Sequence, residues 1–318
     1  MICKRPEHDV IRPAPSAGTP SGPAEKGPDG IRPERSARWG ALLGDVLFRL
    51  DRGHRVIARN NLRFAFPEWP AHQVEECTRR VFRNIGRTVA EMGRSMMRGR
   101  HDRQHHGAVA GEHHFVQALA KGTGIILVSA HLGNWEIGLQ DLAYRLKKPI
   151  GVVVRPLAPA VLDRRLNRWR SRSGIRIIYK KNAFPAMLKT VRDGGIIALM
   201  VDMSVRKQSV PVTFFSRRAR ASHAAALLAA RAKVTILPLF SYRGADGRLI
   251  GDIGPPVPLV RSRNFKSDLK QNTQALTDIV EAAIRRHPDQ YFWIQKRWKD
   301  YHPELYPGYR PRPGLFND

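Results

Sequence analysis

The sequence predicts an α/β fold: a central, mostly parallel sheet flanked by helices, with a helical N-terminal region ahead of it. Three observations predict it. Short apolar runs at 125–130, 150–154, 175–178, 196–201, 234–240 and 249–253 have the length and composition of buried strands. Helical patterns at 134–146, 159–172, 183–193 and 222–232 fall between them, the alternation that builds βαβ units with helices on both faces. Before this block, residues 38–50 and 71–97 carry apolar residues at helical spacing instead.

Taken in order, residues 1–36 hold seven prolines among Gly, Ser and charges, too little apolar surface to order a chain. In the first helix Trp39, Leu42, Leu43, Val46, Leu47 and Leu50 recur with Arg38, Arg49 and Arg52 around them. Two readings stand side by side: a core-packed amphipathic helix, or one lying on an anionic membrane surface. His54–Phe66 is basic, and Pro67-Glu68-Trp69-Pro70 breaks the chain before the long helix, whose stripe is Val74, Cys77, Val81, Ile85, Val89 and Met92. Met96 and Met97 read as core filler. His101, His105 and His106 sit in a polar loop without a Cys or carboxylate at ligand spacing, so no metal site is expected. Ser222 is the expected N-cap of the Ala-rich helix, and 267–287 is a last long helix closed by Pro288.

Fifty-five Lys and Arg against 27 Asp and Glu leave a net charge of +28, which calls for an anionic partner: nucleic acid, an anionic bilayer or an acidic protein. The two cysteines, Cys3 and Cys77, form no disulfide framework or ligand pattern and suit a reducing compartment. No run of 18 apolar residues and no N-terminal apolar h-region is present, so neither a spanning helix nor a secretory signal is expected.

The chemistry concentrates at Ile125–Glu136, where an apolar strand runs into a turn with His131, Gly133 and Asn134. Five steps on a continuous helix rotate about 140°, so His131 and Glu136 can meet only if the histidine sits in the loop and the glutamate on the first helical turn. An imidazole held by a carboxylate deprotonates a hydroxyl, and no Ser or Cys stands at a nucleophile elbow, Ser129 lying inside the strand. The pair therefore suits direct attack by a bound alcohol. Backbone N–H groups at Gly133 and Asn134 would favour an oxyanion or phosphate. The plainer alternative is a structural histidine and an ordinary first-turn acid.

Ser-Ala-His131-Leu-Gly-Asn134-Trp-Glu136 resembles the active-site block of the lipid A biosynthesis (late) acyltransferases, within the glycerolipid-type acyltransferases marked by His-x4-Asp/Glu. The mycobacterial relatives of that family acylate phosphatidylinositol mannosides. Asn60-Asn61-Leu62 with Phe66-Pro67-Glu68, Val154-Arg155-Pro156-Leu157, Leu162-Asp163 and Asn167-Arg168-Trp169-Arg170 extend the likeness. So do Val212-Thr213-Phe214-Phe215, Pro238, Gln290-Tyr291-Phe292-Trp293 and Lys296-Arg297-Trp298-Lys299, for coverage of roughly 38–300.

The resemblance implies a glycerolipid acyltransferase-like fold that moves a fatty acyl chain from a thioester, on acyl carrier protein or CoA, to a hydroxyl of a lipid A precursor or related lipid. It assigns His131 as general base and Glu136 as its orienting partner. Asn134, Arg155, Asp202 and Arg170 are the expected substrate-binding residues, with Arg155 holding a phosphate or oxyanion. Asp202 stays open between a site residue and a cap. No metal and no cofactor beyond the thioester co-substrate is implied. Met203 stands where relatives carry Gln, and His223 where they carry a small residue.

The expected organisation is a 1–36 tail and a single domain at 37–318. Within that domain, 37–111 is helical and membrane-proximal, 112–300 is the catalytic part and 301–318 is coil. A peripheral or monotopic place on the cytoplasmic face of the bacterial inner membrane follows, with anionic lipids and the acyl carrier as partners and the oligomeric state left open. Arg164, Arg165, Arg168, Arg170 and Arg172 on one helix, with Lys180, Lys181, Arg206, Lys207, Arg217, Arg218 and Arg220, suit those partners. Two competing readings are a basic nucleic-acid-binding protein using residues 163–172 and the aromatic tail, and a non-catalytic lipid-binding homologue. Neither a helix-turn-helix, a zinc finger nor an RNA-recognition signature supports the first, and no nucleic acid is expected as a partner.

Overall fold

The computed structural model describes residues 33–98 and 109–310. Most of the expected tail, His101, His105, His106 and residues 311–318 lie outside them. Three helices lead: α1 (Pro33–Leu50), α2 (Arg52–Ala65) and α3 (Ala71–Arg98). Then come β1 (Val109–Ala110), α4 (Glu112–Ala120), β2 (Ile125–Ser129), α5 (Trp135–Leu146), β3 (Ile150–Val154), α6 (Ala160–Arg172) and β4 (Ile175–Tyr179). The rest is α7 (Ala183–Arg192), β5 (Ile196–Met200), the β6 (Ser209–Phe214) and β7 (Arg217–Ser222) hairpin, α8 (Ala224–Ala232), β8 (Thr235–Arg243), β9 (Leu249–Ile253) and α9 (Phe265–Arg286).

Seven strands form one sheet in the order β1-β9-β8-β2-β5-β3-β4, parallel except where β8 meets β9. This is the α/β architecture with helical entry that the sequence predicts. Period-two alternation divides the core: Ile126, Val128 and Ala130 face one side, with α2, α3, α7, α8 and α9, while Ile125 and Leu127 face Phe115, Leu139 and Leu142 on the other. The chain leaves β2 toward β3 and β4, and returns to insert β5 between β2 and β3. It then crosses to β8 on the far side of β2. The connections from β2 and β5 thus depart in opposite directions, the switch point where open α/β sheets leave a crevice at their carboxyl ends.

Five elements escape the sequence pattern. α2 is masked by its many basic residues, and α4 and β1 are short. The β6–β7 hairpin turns at Phe215 and Ser216, both at positive φ (51° and 57°), without the Asn-Gly that usually marks such a turn. Burial of Phe215 and donation of its N–H to Glu281 hold that conformation. At α8, Ser222 ends β7 rather than capping directly, yet its Oγ accepts from the Ala224 N–H at 3.2 Å.

Met97 is exposed, so only Met96 is filler; with Met92 it packs against Ile137, Leu166 and Trp169. Residues 301–310 turn back onto α2, where the Tyr306 hydroxyl donates to Asn61 Oδ1 at 2.8 Å. Among the described residues no helix is long and apolar enough to cross a membrane.

Candidate active site

Register builds the centre of the site. Ser129 of β2 pairs with Met200 of β5, so His131 and Asp202, each two residues farther on, leave neighbouring strands side by side. His131 Nδ1 lies 2.9 and 3.1 Å from the two Asp202 oxygens, and the His131 N–H donates to Oδ2 at 3.2 Å. A carboxylate there keeps the proton on Nδ1 and leaves Nε2 as the basic nitrogen. The imidazole is 19% exposed and the Asp202 side chain fully buried. Burial alone would lower the His131 pKa, but the Asp202 charge and hydrogen bond, with the Glu136 charge, leave it above the ordinary value. Burial likewise opposes the ionised Asp202, yet His131, two hydrogen bonds from it and one from Gln295 bring its pKa below the usual carboxylate value.

This corrects the expected partnership: the group that orients His131 is Asp202, not Glu136. Glu136 does start α5, but Arg170 clamps it from α6, with Nε donating at 3.0 Å and Nη2 to the other oxygen. Arg170 Nη1 also donates to Asn167 Oδ1 at 3.2 Å, and Asn167 donates to Asp163 at 3.1 Å. The motif residues after β3 thus form a polar chain that ends on Glu136. Arg170 is consequently a clamp rather than a free substrate ligand, because its face of α6 points inward while Arg164, Arg165, Arg168 and Arg172 are exposed. Asp202, expected to be either a site residue or a cap, has its side chain fully buried against the imidazole.

Asn134 is also committed. Its Oδ1 caps α5 by accepting from the Ile137 N–H at 3.2 Å, and its Nδ2 donates to Glu91 at 2.7 Å. The Gly133 N–H, an expected oxyanion donor, goes to the Gln290 carbonyl at 2.9 Å. Gly133 sits at φ 58°, and a Cβ there would stand 2.0 Å from the Ser241 carbonyl oxygen, so the turn accepts only glycine.

Arg155 is exposed at the carboxyl end of β3, as expected. Lys180 follows β4 beside it, its N–H donating to the Val154 carbonyl at 2.9 Å. Lys299 joins them from the closing segment, whose Asp300 is bound by Ser204 and Arg206. Partial burial and the Arg155 charge pull the Lys180 pKa down; at Lys299 burial lowers it first, opposed by Asp300 and helped by Arg206, Arg155 and Lys296. The carboxyl edge of the sheet therefore carries a cluster of cations after β3 and β4, on the side of β5 away from β2.

Several neighbours were given no role from the sequence. Gln295 donates to Asp202 Oδ2 at 3.1 Å and to the Tyr291 hydroxyl, supplying the polar contact that Met203, exposed, does not. Trp135 and Phe292 place their rings 4.8 and 6.1 Å from the imidazole. The Phe292 N–H donates to the His131 carbonyl at 3.0 Å, so the closing motif lies along the histidine loop. Its position beside the motif is the one signal that pointed to Gln295. His223 immediately precedes α8 with Nδ1 buried and unpartnered among the described residues, and burial lowers its pKa. Among the described residues no group of three or more His, Cys, Asp or Glu is gathered as a metal site.

A profile of the family described as bacterial lipid A biosynthesis acyltransferase matches residues 32–300, taking in every site residue above. The chain belongs to that family. Similar proteins include the lipid A biosynthesis lauroyltransferase of Escherichia coli (strain K12), 24% identical over 271 residues, 82% of this chain and 84% of the other. The lipid A biosynthesis acyltransferase of Haemophilus influenzae is 26% identical over 250 residues, 77% of each chain. A phosphatidylinositol mannoside acyltransferase of Mycobacterium tuberculosis is 26% identical over 201 residues, 62% of this chain and 61% of that one. In this acyltransferase the histidine loop and closing motif both fall inside the matched region.

Proposed function

We propose that this acyltransferase transfers a fatty acyl group from a thioester, on acyl carrier protein or CoA, to a hydroxyl of a lipid A precursor. The observation that carries the reading is the His131–Asp202 pair, with Nδ1 on the carboxylate and the imidazole 19% exposed, at the switch point of a family member's sheet. Nε2 takes the proton of the acceptor hydroxyl as its oxygen attacks the thioester carbonyl carbon. The tetrahedral oxyanion collapses, the C–S bond breaks, and the imidazolium returns the proton to the departing thiolate, giving an ester and a free thiol. Asp202 holds the tautomer and, with Glu136, stabilises the imidazolium; the Arg155, Lys180 and Lys299 cluster holds acceptor or donor phosphate. Proton transfer, orientation and charge all come from side chains, and the thioester is a co-substrate rather than a cofactor.

A related glycolipid or phospholipid is the second reading of the acceptor, favoured by the similarity to a phosphatidylinositol mannoside acyltransferase. The protein would work on the cytoplasmic face of the inner membrane as a peripheral or monotopic enzyme. The exposed arginines of α6 suit an acidic carrier protein. The test is acyl transfer by the purified protein from carrier-protein and CoA thioesters to defined lipid acceptors. Wild type should yield an acylated lipid and His131→Ala none; full activity in His131→Ala would sink the assignment.

A further inference from the structure

We infer that Gln295 is a positioning residue for acyl transfer: its side-chain amide holds Asp202 in place and ionised, and so sets the pH at which His131 can take a proton. The inference rests on the reading of His131 as the general base given above. Asp202 is a fully buried carboxylate, and among the described residues its ion pair is with His131. Its hydrogen-bond donors there are the ring and backbone of His131 and, from outside the histidine loop, Gln295 Nε2 at 3.1 Å from Oδ2. The other charged and titratable groups around the pair are Glu136 of α5 and, from the closing segment, Tyr291 and Arg297. Arg297 Nη1 donates to the Arg220 carbonyl, and Glu136 is clamped by Arg170.

The amide can face only one way. An ionised carboxylate accepts and never donates, so the nitrogen of Gln295 must point at Asp202. The second proton of that nitrogen goes to the Tyr291 hydroxyl. Burial and the Asp202 charge keep this hydroxyl neutral by raising its pKa well above the ordinary value. A neutral donor suits the place better than a cation. A guanidinium or ammonium would cancel the Asp202 charge and leave little of it for the imidazolium. An amide holds the carboxylate ionised and leaves its charge to act on His131.

One short segment holds both the histidine and its carboxylate. The Phe292 N–H donates to the His131 carbonyl at 3.0 Å, Gly133 donates to the Gln290 carbonyl at 2.9 Å, and Leu132 pairs with Tyr291. The chain then turns, with the Trp293 N–H on the Tyr291 carbonyl at 2.9 Å, and Asn61 of α2 donates to the Gln295 carbonyl at 2.7 Å. The backbone beside the histidine and the side chain beneath its carboxylate are thus three residues apart on one anchored turn.

The test follows His131 in two ways in the full chain: by the pH–rate profile of acyl transfer, and by NMR titration of histidine-labelled protein without substrate. The His131 signal is assigned by its loss in His131→Ala. Gln295→Met keeps the length of the side chain and removes both N–H donors. Without the amide, Asp202 leans harder on the imidazolium, so the His131 midpoint should rise by about one pH unit and the activity limb should move with it. On the plateau kcat should fall about tenfold at unchanged KM, because Asp202 is no longer held in place. Tyr291→Phe, which frees the amide to turn, should move the midpoint the same way by less, and it decides the matter if Gln295→Met loses its circular dichroism. An unmoved midpoint and limb in a folded variant, or a raised KM with kcat intact, would overturn the role. Full activity of His131→Ala would overturn the base and this role together, whereas an inactive His131→Ala with an unmoved Gln295→Met titration would overturn this role alone.

Discussion

To accept a proton at Nε2, His131 must be neutral, and Asp202 and Glu136 hold its pKa above the ordinary imidazole value against the pull of burial. Activity should therefore climb with pH along a limb set by that raised pKa. Replacing Asp202 with Asn removes the main force raising it and leaves burial, so the limb should move to lower pH. Its plateau should also fall by roughly 10²–10⁴ as the tautomer is lost. A pH–rate profile of both proteins checks this, and an unmoved limb would separate Asp202 from the histidine's chemistry. Glu136 and Arg170 form one unit of two partly buried charges. Arg170→Met should cost about 2 kcal/mol in denaturant unfolding because Glu136 is left unpaired, and Glu136→Gln/Arg170→Met should be less than additive.

At the scale of elements, two contacts between distant segments carry the site. Asn61 of α2 donates to the Trp293 and Gln295 carbonyls at 2.6 and 2.7 Å, which sets the segment that brings Gln295 under Asp202. Asn61→Ala should cost about 1–3 kcal/mol and also lower kcat, measured by urea unfolding and by turnover. The second contact is the α1–α3 seam. Gly44→Leu would drive a side chain into the backbone of Phe82 and Arg83, and about 1–3 kcal/mol of lost stability is expected from the same unfolding curves. The sequence showed α1 and α3 as helices, and Asn60-Asn61-Leu62 as part of the family resemblance. What Asn61 binds lies 232 and 234 positions away, and no local periodicity reaches that far.

Over the whole molecule, the charge of +28 divides by use. Some cations are structural: Arg243 is buried between Glu91 and Asn84, and Arg297 stacks on Phe214. Others line the carboxyl edge of the sheet, and those of α6 are exposed. Neutralising Arg164, Arg165, Arg168 and Arg172 together to Gln should raise KM for a carrier-protein thioester about tenfold, leaving kcat and the response to acyl-CoA unchanged. The carrier effect should fade with added salt. Steady-state kinetics at two ionic strengths would read both.

By itself the sequence determined the alternation of strands and helices and the placing of His131 at a strand end beside a helix start. Both are local: they follow from side-chain period and from turn residues within a dozen positions. Only the tertiary structure decided which carboxylate serves the histidine. Glu136 is five residues away in sequence and Asp202 seventy-one, but β5 returns to lie between β2 and β3. The pairing of Ser129 with Met200 then carries Asp202 to Nδ1, while Arg170 draws Glu136 aside. Strand order in a parallel sheet is set by crossovers and by the packing of whole faces, so the distant acid won the contact that spacing along the chain had offered to the near one.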